Sequence, residues 1–323
     1  METRCVAGNT RWLVDTLDSI DMMILRELLR NCRSSYREIA RKIGLSPNAT
    51  RNRVEKILES GVIRRFVVIL NSKAAGVGCF LGLIQTDGAE DIQDFVSRIG
   101  ENPMVTDVGE LVSMSGGGYS VGGDHPSIAM LEEYEAFLRD LDEVQNVEFH
   151  TQHAINLGQG CTAKFSRVQL KVLKCLIQDA RMQVNEISKM TGLASKTIRT
   201  ALKELMEGGD IRFTVSFGPA VGEMVDIMVR ITWDDEMISE DELIKWLRSE
   251  YPDEFWGPWT SESEEVLFAI FIVGSNLDSQ RIAHQIRAAP FVTSSTLLVS
   301  LTLTKFPRYL ETKLKEIIEE SGV

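Results

Sequence analysis

The sequence predicts an α+β protein: two winged helix-turn-helix domains and two ferredoxin-like βαββαβ domains in tandem, followed by a C-terminal helix. Three observations carry that expectation. The chain repeats itself at an offset of 148 residues. Each repeat opens with three short helical patterns separated by turn signals, and each then alternates strand and helix patterns in the order βαββαβ. The expected boundaries are a tail over 1–16, winged helix-turn-helix domains over 17–76 and 165–219, and βαββαβ domains over 77–158 and 220–306. A linker over 159–164 and a terminal helix over 307–323 complete the chain.

Sliding the chain by 148 residues places Leu25 on Leu173, Arg33 on Arg181, Glu38-Ile39 on Glu186-Ile187 and Gly44-Leu45 on Gly192-Leu193. Arg51 falls on Arg199, Glu59 on Glu207, Gly61 on Gly209 and Ile63-Arg64 on Ile211-Arg212. No gap is needed from Leu17/Phe165 to Phe66/Thr214. Glycines and helix-core positions are in register together, which coincidence among helical patterns does not produce.

In the first copy, Ile20, Ile24, Leu25 and Leu28 recur at helical spacing, and a second short helix presents Ile39 and Ile43 before Gly44 ends it. Ser46 before Pro47 is an N-cap serine followed by a first-turn proline, a strong helix start. The third helix points Thr50, Val54, Ile57 and Leu58 inward, Gly61 ends it, and "VIRRFVVIL" continues as a basic strand, the expected wing. Strand and helix patterns then follow as "GCFLGLIQTD", "AEDIQDFVSRIG", "VTDVGELVSMS", "GGYSVGG", "PSIAMLEEYEAFLRDL" and "VEFHTQHAI". The second copy repeats the order through "MVDIMVRITW", "EDELIKWLRSEY", "FWGPWTSES", "EEVLFAIFIVG", "DSQRIAHQIRAA" and "SSTLLVSLTLTKF". The last helix has no counterpart in copy one.

Composition is that of a globular chain, 44% hydrophobic and 25% charged. No apolar run is long enough to span a membrane, and residues 1–16 lack the apolar core of a secretory signal, so a cytoplasmic protein is expected. The five cysteines are scattered with no C-x-x-C spacing, which suggests reduced, structural thiols. No metal cluster or cofactor motif is expected.

Charge is segregated. Residues 17–66 hold eleven Lys/Arg against six Asp/Glu, a local +5, and residues 165–214 hold nine against five, a local +4. With the whole chain at -12, the rest carries -21. The three-helix segments are basic islands in an acidic protein, and attraction to phosphate needs a basic face rather than a basic protein. Helix-turn-helix geometry presents the third of these helices to the major groove. There Arg51 and Asn52 could reach base edges, since Arg reads guanine and Asn adenine. Ser46 and Asn48 suit a phosphate or an edge, and Arg53, Lys56, Arg64 and Arg65 suit phosphate. The second copy offers Lys196, Arg199, Thr200 and Lys203, with Arg212 in its wing. Having lost Pro47 and Asn52 to Ser195 and Thr200, it is expected to bind DNA more weakly or to serve packing.

Residues Leu17 to Gly76 resemble the N-terminal domain of the leucine-responsive/asparagine-activated (Lrp/AsnC, feast/famine) regulators. The matching motifs are L-D-x-x-D at Leu17–Asp21, I-A at Ile39–Ala40, G-L-S at Gly44–Ser46, R-V at Arg53–Val54 and G-V-I at Gly61–Ile63. The resemblance implies a transcriptional regulator that binds double-stranded DNA and dimerises through its βαββαβ sheets, as a homodimer or as a pseudo-dimer within one chain. It also implies an amino acid or other small-molecule effector near the glycine loop between the middle strands, here Gly116, Gly117, Gly118, Tyr119 and Ser120. Two departures stand out: the chain is a tandem fusion, and Ser120 occupies a position where members often carry an acid.

Two other function classes stay open. Sirohaem decarboxylases resemble this family and carry paired units, but a histidine and an arginine expected near Tyr119 are missing from "SGGGYSVGG". A sensor or assembly module that binds no DNA is the other. His150 and His153 sit three apart on a strand and point to opposite faces, so surface or interface roles are expected rather than one metal. Trp256 and Trp259 are expected at the interface between the βαββαβ units.

Overall fold

The fold is described from a computed structural model, over residues 17–112, 117–152, 160–217, 225–262 and 264–323. The tail expected over 1–16, and Gly116, His153 and Gln159, lie outside these residues.

The first copy runs α1 (Ser19–Arg30), α2 (Tyr36–Ile43), α3 (Pro47–Glu59), β1 (Ile63–Leu70), a one-turn α4 (Ser72–Ala75), β2 (Gly78–Thr86), α5 (Ile92–Gly100), β3 (Val105–Leu111), β4 (Gly118–His125), α6 (Ile128–Arg139) and β5 (Val144–Gln152). The second runs α7 (Arg167–Leu176), α8 (Val184–Thr191), α9 (Ser195–Glu207), β6 (Ile211–Phe217), β7 (Val225–Trp233), α10 (Glu240–Glu250), β8 (Phe255–Thr260), β9 (Leu267–Val273), α11 (Asn276–Arg287) and β10 (Val292–Lys305), and α12 (Tyr309–Glu320) follows. The expected fold class is the one found.

Local chemistry fixes the helix ends. Asp18 caps α1 and Asp21 returns the bond, Ser35 and Glu38 do the same for α2, and Ser166 and Gln169 for α7. Gly44 and Gly192 close α2 and α8 at φ 76° and 70°, where a side chain would be strained. Each reading helix is then launched by the turn that follows.

The two copies pair within the chain. β1 and β6 form an antiparallel ribbon in which Phe66 faces Val215 and Val67 faces Thr214. Under the 148-residue offset Val215 is the mate of Val67, and Thr214 the mate of Phe66, so the contact is reciprocal, as in a twofold dimer. The turns obey the same symmetry: Arg33 donates to the Met182 carbonyl at 3.3 Å, and its mate Arg181 donates to the Ser34 carbonyl at 3.4 Å. Leu28, Val54, Val67, Leu173, Leu202 and Phe213 belong to one apolar cluster that spans both three-helix units, the ribbon and α12.

Each βαββαβ unit has the ferredoxin-like strand order, β5-β2-β4-β3 and β10-β7-β9-β8, and the two join into one eight-stranded sheet. β10 makes the join. Its first half pairs with β7, and its second half pairs with β3 through Leu303 opposite Gly109 and Lys305 opposite Asp107. The free edges approach each other too: Gln152 donates to the Thr260 carbonyl at 2.6 Å, and the Glu262 amide to the Thr151 carbonyl at 2.9 Å. The sheet thus wraps round on itself, with α5, α6, α10 and α11 packed outside and a cavity inside. Two further cores, one around Phe95 and Tyr134 and one around Leu247 and Phe271, lie between each sheet and its own helices.

Candidate nucleic-acid interface

α3 is anchored by Thr50, Val54 and Ile57, all with no solvent exposure. Helical periodicity leaves Asn48, Arg51, Asn52 and Lys56 exposed. Ser46 accepts the Ala49 amide at 3.1 Å, so its hydroxyl is the helix cap. Arg51 rests on Glu55 at 2.8 Å, an exposed pair that holds the guanidinium weakly and releases it readily.

Three of the expected phosphate ligands are engaged elsewhere. Arg53 turns back to α1, with one guanidinium nitrogen 2.7 Å from both Asp18 and Asp21, and the Asp21 carboxylate is buried. The acidic pair of L-D-x-x-D and the Arg of R-V are therefore one clamp that sets α3 against α1. Arg53→Ala is expected to lower stability by about 1–3 kcal/mol, because it leaves a buried carboxylate without its charged partner. Urea unfolding checks this, and the salt dependence of DNA binding should change little. Arg65 makes a bidentate pair with the buried Glu311 of α12, at 2.9 and 2.7 Å, which fastens the terminal helix to β1. Arg212 lines the inner cavity. β1 and β6, the expected wing strands, pair edge to edge with each other. Arg64 remains exposed on β1, with no ion pair among the described residues.

α9 keeps the exposed row as Lys196, Arg199, Thr200 and Lys203. Its N-cap is Ala194, with no side-chain cap, and Lys203 lies 3.9 Å from Glu207. The Arg53 clamp has no equivalent, since its mate is Ala201; Gln169 bonds Glu204 at 3.1 Å in that region. The second reading helix is less preorganised and carries the flexible Lys196 and the neutral Thr200 where the first carries the amides Asn48 and Asn52.

The glycine loop divides between two faces. Gly117 lies against Glu90 and Thr86, where an added Cβ would sit 2.2 Å from the Glu90 carboxylate. Gly118 opens β4. Tyr119 is buried with 1% exposure, packs on Phe95 and donates to Glu90 at 2.7 Å, and burial together with Glu90 pushes its phenol pKa up. It is a core residue, which corrects its expected role as an effector contact. Ser120 points the other way, into the cavity, because alternate residues of a strand face opposite sides.

That cavity, of about 460 Å³, lies between the two sheets and under the ribbon, with Ile69 of β1 and Arg212 of β6 in its wall. Trp256 and Trp259 line it from β8. Trp256 also lies under the Arg26 guanidinium of α1 at 5.4 Å, and Arg26 donates to the carbonyls of Pro252, Asp253 and Phe255. Burial raises the carboxyl pKa of Asp124 and of Asp226 to about 6. Raised values favour the folded state where these groups are protonated: the contribution is full below their unfolded value near 3.8 and is lost as pH rises through about 6. The melting temperature should therefore fall less from pH ~5 to ~7.5 in Asp226→Asn than in the parent.

A second cluster is not foreshadowed by any local pattern of residues. Carboxylate oxygens of Glu148 and Glu264 and a ring nitrogen of His150 lie within 4.8 Å of one another. Arg230 of β7 sits 2.7 Å from Glu148 and 3.7 Å from Glu264, so an ion-pair network holds the β5–β8 seam. His150 is fully buried between the units against Phe268, and burial lowers its pKa.

Comparison with known proteins adds three findings. A family model described as winged helix-turn-helix DNA-binding matches twice, over residues 17–64 and 165–212. The regulatory protein AsnC of Haemophilus influenzae is 36% identical over 85 residues, 26% of this chain and 56% of that protein. AsnC of Escherichia coli K12 is 30% identical over 133 residues, 41% of this chain and 77% of that protein, and an HTH-type transcriptional regulator of Pyrococcus horikoshii is 30% identical over 146 residues, 43% and 90%. Three of the curated relatives it matches are spanned over only about half their length, 56%, 54% and 47%. The crystal structure of the siroheme decarboxylase NirDL matches across 95% of this chain and 100% of its own, with a TM-score of 0.50 and 17% identity, a likeness of fold.

Proposed function

Because the chain belongs to the AsnC-type helix-turn-helix regulators, we propose that it is a sequence-specific DNA-binding transcriptional regulator that meets its operator as a single-chain pseudo-dimer. α3 enters the major groove at one half-site and α9 at the next. The observation that carries the reading is the exposed row Asn48, Arg51, Asn52 and Lys56 on a capped helix whose other face is fully buried. These are the residue types that read base edges and hold phosphates. Arg64 adds a phosphate contact from β1.

The two reading helices are unequal. Lys196 stands for Asn48 and Thr200 for Asn52, and the Ser46 cap is lost at Ala194. The operator is accordingly asymmetric, with a strong half-site under α3 and a relaxed one under α9. A small-molecule effector modulates binding through the sheets, which touch the ribbon. Among the described residues no helix is long and apolar enough to cross a membrane, and the protein works in the cytoplasm.

The test is fluorescence anisotropy with DNA from upstream of the protein's own gene and with a scrambled duplex, across a range of salt. The reading requires tighter binding to the native duplex and a log–log salt slope of about -0.9 per phosphate contact. Equal, weak and salt-insensitive binding to both duplexes contradicts it.

A further inference from the structure

Glu148 and His150 sit two apart on β5, so strand alternation puts both on one face of the sheet. Glu264 reaches them from the turn between β8 and β9, and the three ligand atoms lie within 4.8 Å of one another. The cluster therefore draws on both copies. It stands where the sheet closes on itself, beside the bonds from Gln152 to Thr260 and from Glu262 to Thr151.

The histidine is not held as a hydrogen-bonded residue. Its side chain has no solvent exposure, and neither ring nitrogen makes a hydrogen bond among the described residues. Yet Nε2 lies 2.9 Å from Oε1 of Glu148. At that separation the missing bond is a matter of direction: the oxygen stands beside the line of the ring N–H rather than on it. Two ligands of one metal ion stand in this way, and with bonds of about 2.0–2.2 Å they are about 3 Å apart. Trp259 and Phe268 meet the ring in T-shaped contacts, with centroids at 6.5 and 4.8 Å, so its direction is fixed by packing. A buried polar nitrogen without a partner is costly, and a coordinated ion would supply one.

Charge leaves room for a cation. The two carboxylates face Arg230, which donates to Oε1 of Glu148 at 2.7 Å and lies 3.7 Å from Glu264. One guanidinium offsets one of the two. An open cavity of about 630 Å³ adjoins Glu264, and Asp235, Glu240, Glu262 and Glu265 line it too, with no Lys or Arg among its described lining residues. A carboxylate has about four acceptor positions, so Glu148 can keep Arg230 and also take an ion. Arg230 then orients a ligand, as outer partners do in metal sites. One imidazole nitrogen with two carboxylates suits zinc and its first-row neighbours, whereas calcium and magnesium favour shells of oxygen alone.

We propose that Glu148, His150 and Glu264 bind one divalent transition-metal ion of the zinc type, which staples β5 of the first copy to the β8–β9 turn of the second. Water completes the shell on the side of the open cavity. The site is separate from the reading helices, and its occupancy does not depend on DNA binding.

The test uses the full chain, untagged, stripped with chelator and free of DNA. Calorimetry with Zn²⁺ should show saturable binding of one ion per chain, against which Mg²⁺ and Ca²⁺ do not compete. Zn²⁺ should raise the melting temperature and slow amide exchange in β5 and β8. Glu264 is exposed in a turn, so Glu264→Gln should fold like the parent in chelator. It should weaken Zn²⁺ about tenfold or more and lose the zinc-dependent rise in melting temperature. Cys161→Ser removes an exposed thiol that competes for zinc elsewhere, and should leave binding unchanged. No saturable binding of Zn²⁺ overturns the proposal. So does an affinity unchanged in Glu264→Gln, binding lost in Cys161→Ser, or Mg²⁺ bound as tightly as Zn²⁺.

Discussion

Changing Arg51 to alanine should lower affinity for the cognate duplex by about 1–3 kcal/mol while leaving affinity for unrelated DNA nearly unchanged. The expectation rests on exposure and local geometry. Arg51 stands on the outer face of α3, next to Asn52, and among the described residues its one ion pair is the exposed one with Glu55. A pair of that kind contributes about 0.5 kcal/mol or less, so the variant should fold and melt like the parent. Any loss of affinity then belongs to the contact with DNA. Arg64→Ala provides the contrast. A phosphate contact carries no base information, so this variant should weaken binding about equally on all sequences and reduce the salt slope by about one. Anisotropy titrations on cognate and scrambled duplexes, with both variants, separate the two roles. An unchanged preference in Arg51→Ala would remove it from base reading.

Phe213→Ala should cost about 3–5 kcal/mol of folding stability. Phe213 lies in the ribbon strand β6 with 4% exposure, inside the apolar cluster shared by both three-helix units. Its carbonyl accepts the Cys32 amide at 3.0 Å and its ladder partner is Val68, so it connects the copies through backbone as well as side chain. The substitution leaves those backbone bonds available and isolates the packing loss. Because one cluster supports both units, they should lose protection together. Hydrogen exchange read separately over α1–α3 and α7–α9 checks this. Loss confined to α7–α9 would mean that the two units have independent cores.

The helices were legible because their signals are local. Ser35 with Glu38, Ser46 with Pro47, and Gly44 mark ends by backbone chemistry that needs no tertiary partner. The 148-residue offset then doubled everything read in copy one. What could not be read was which surfaces meet. The pattern of "VIRRFVVIL" says strand, but nothing in it names β6 as its mate, and without the mate the faces of Arg65 and Arg212 stay unassigned. "SSTLLVSLTLTKF" reads as a strand, but nothing in it shows that its halves join two βαββαβ units. Arg53 reads as a phosphate ligand because a lone helix surface does not show that Asp18 and Asp21 lie beneath it. Tyr119 and Ser120 were grouped by the glycines around them, and strand alternation sends one to the core and the other to the cavity. The charged cavity arises from five separated stretches of chain, which no local pattern could bring together.

The most direct test of the central claim is selection of duplexes from a random pool by the intact chain. The account predicts enrichment of an asymmetric consensus, with one well-defined and one relaxed half-site separated by about one helical turn, roughly 10 base pairs. Replacing the α9 face by that of α3, through Ala194→Ser, Ser195→Pro, Lys196→Asn, Thr200→Asn, Lys203→Glu and Glu204→Lys together, should convert the consensus to an inverted repeat. An inverted repeat selected by the unmodified chain would contradict the inequality of the two helices. No enrichment over the starting pool would contradict the reading as a DNA-binding regulator.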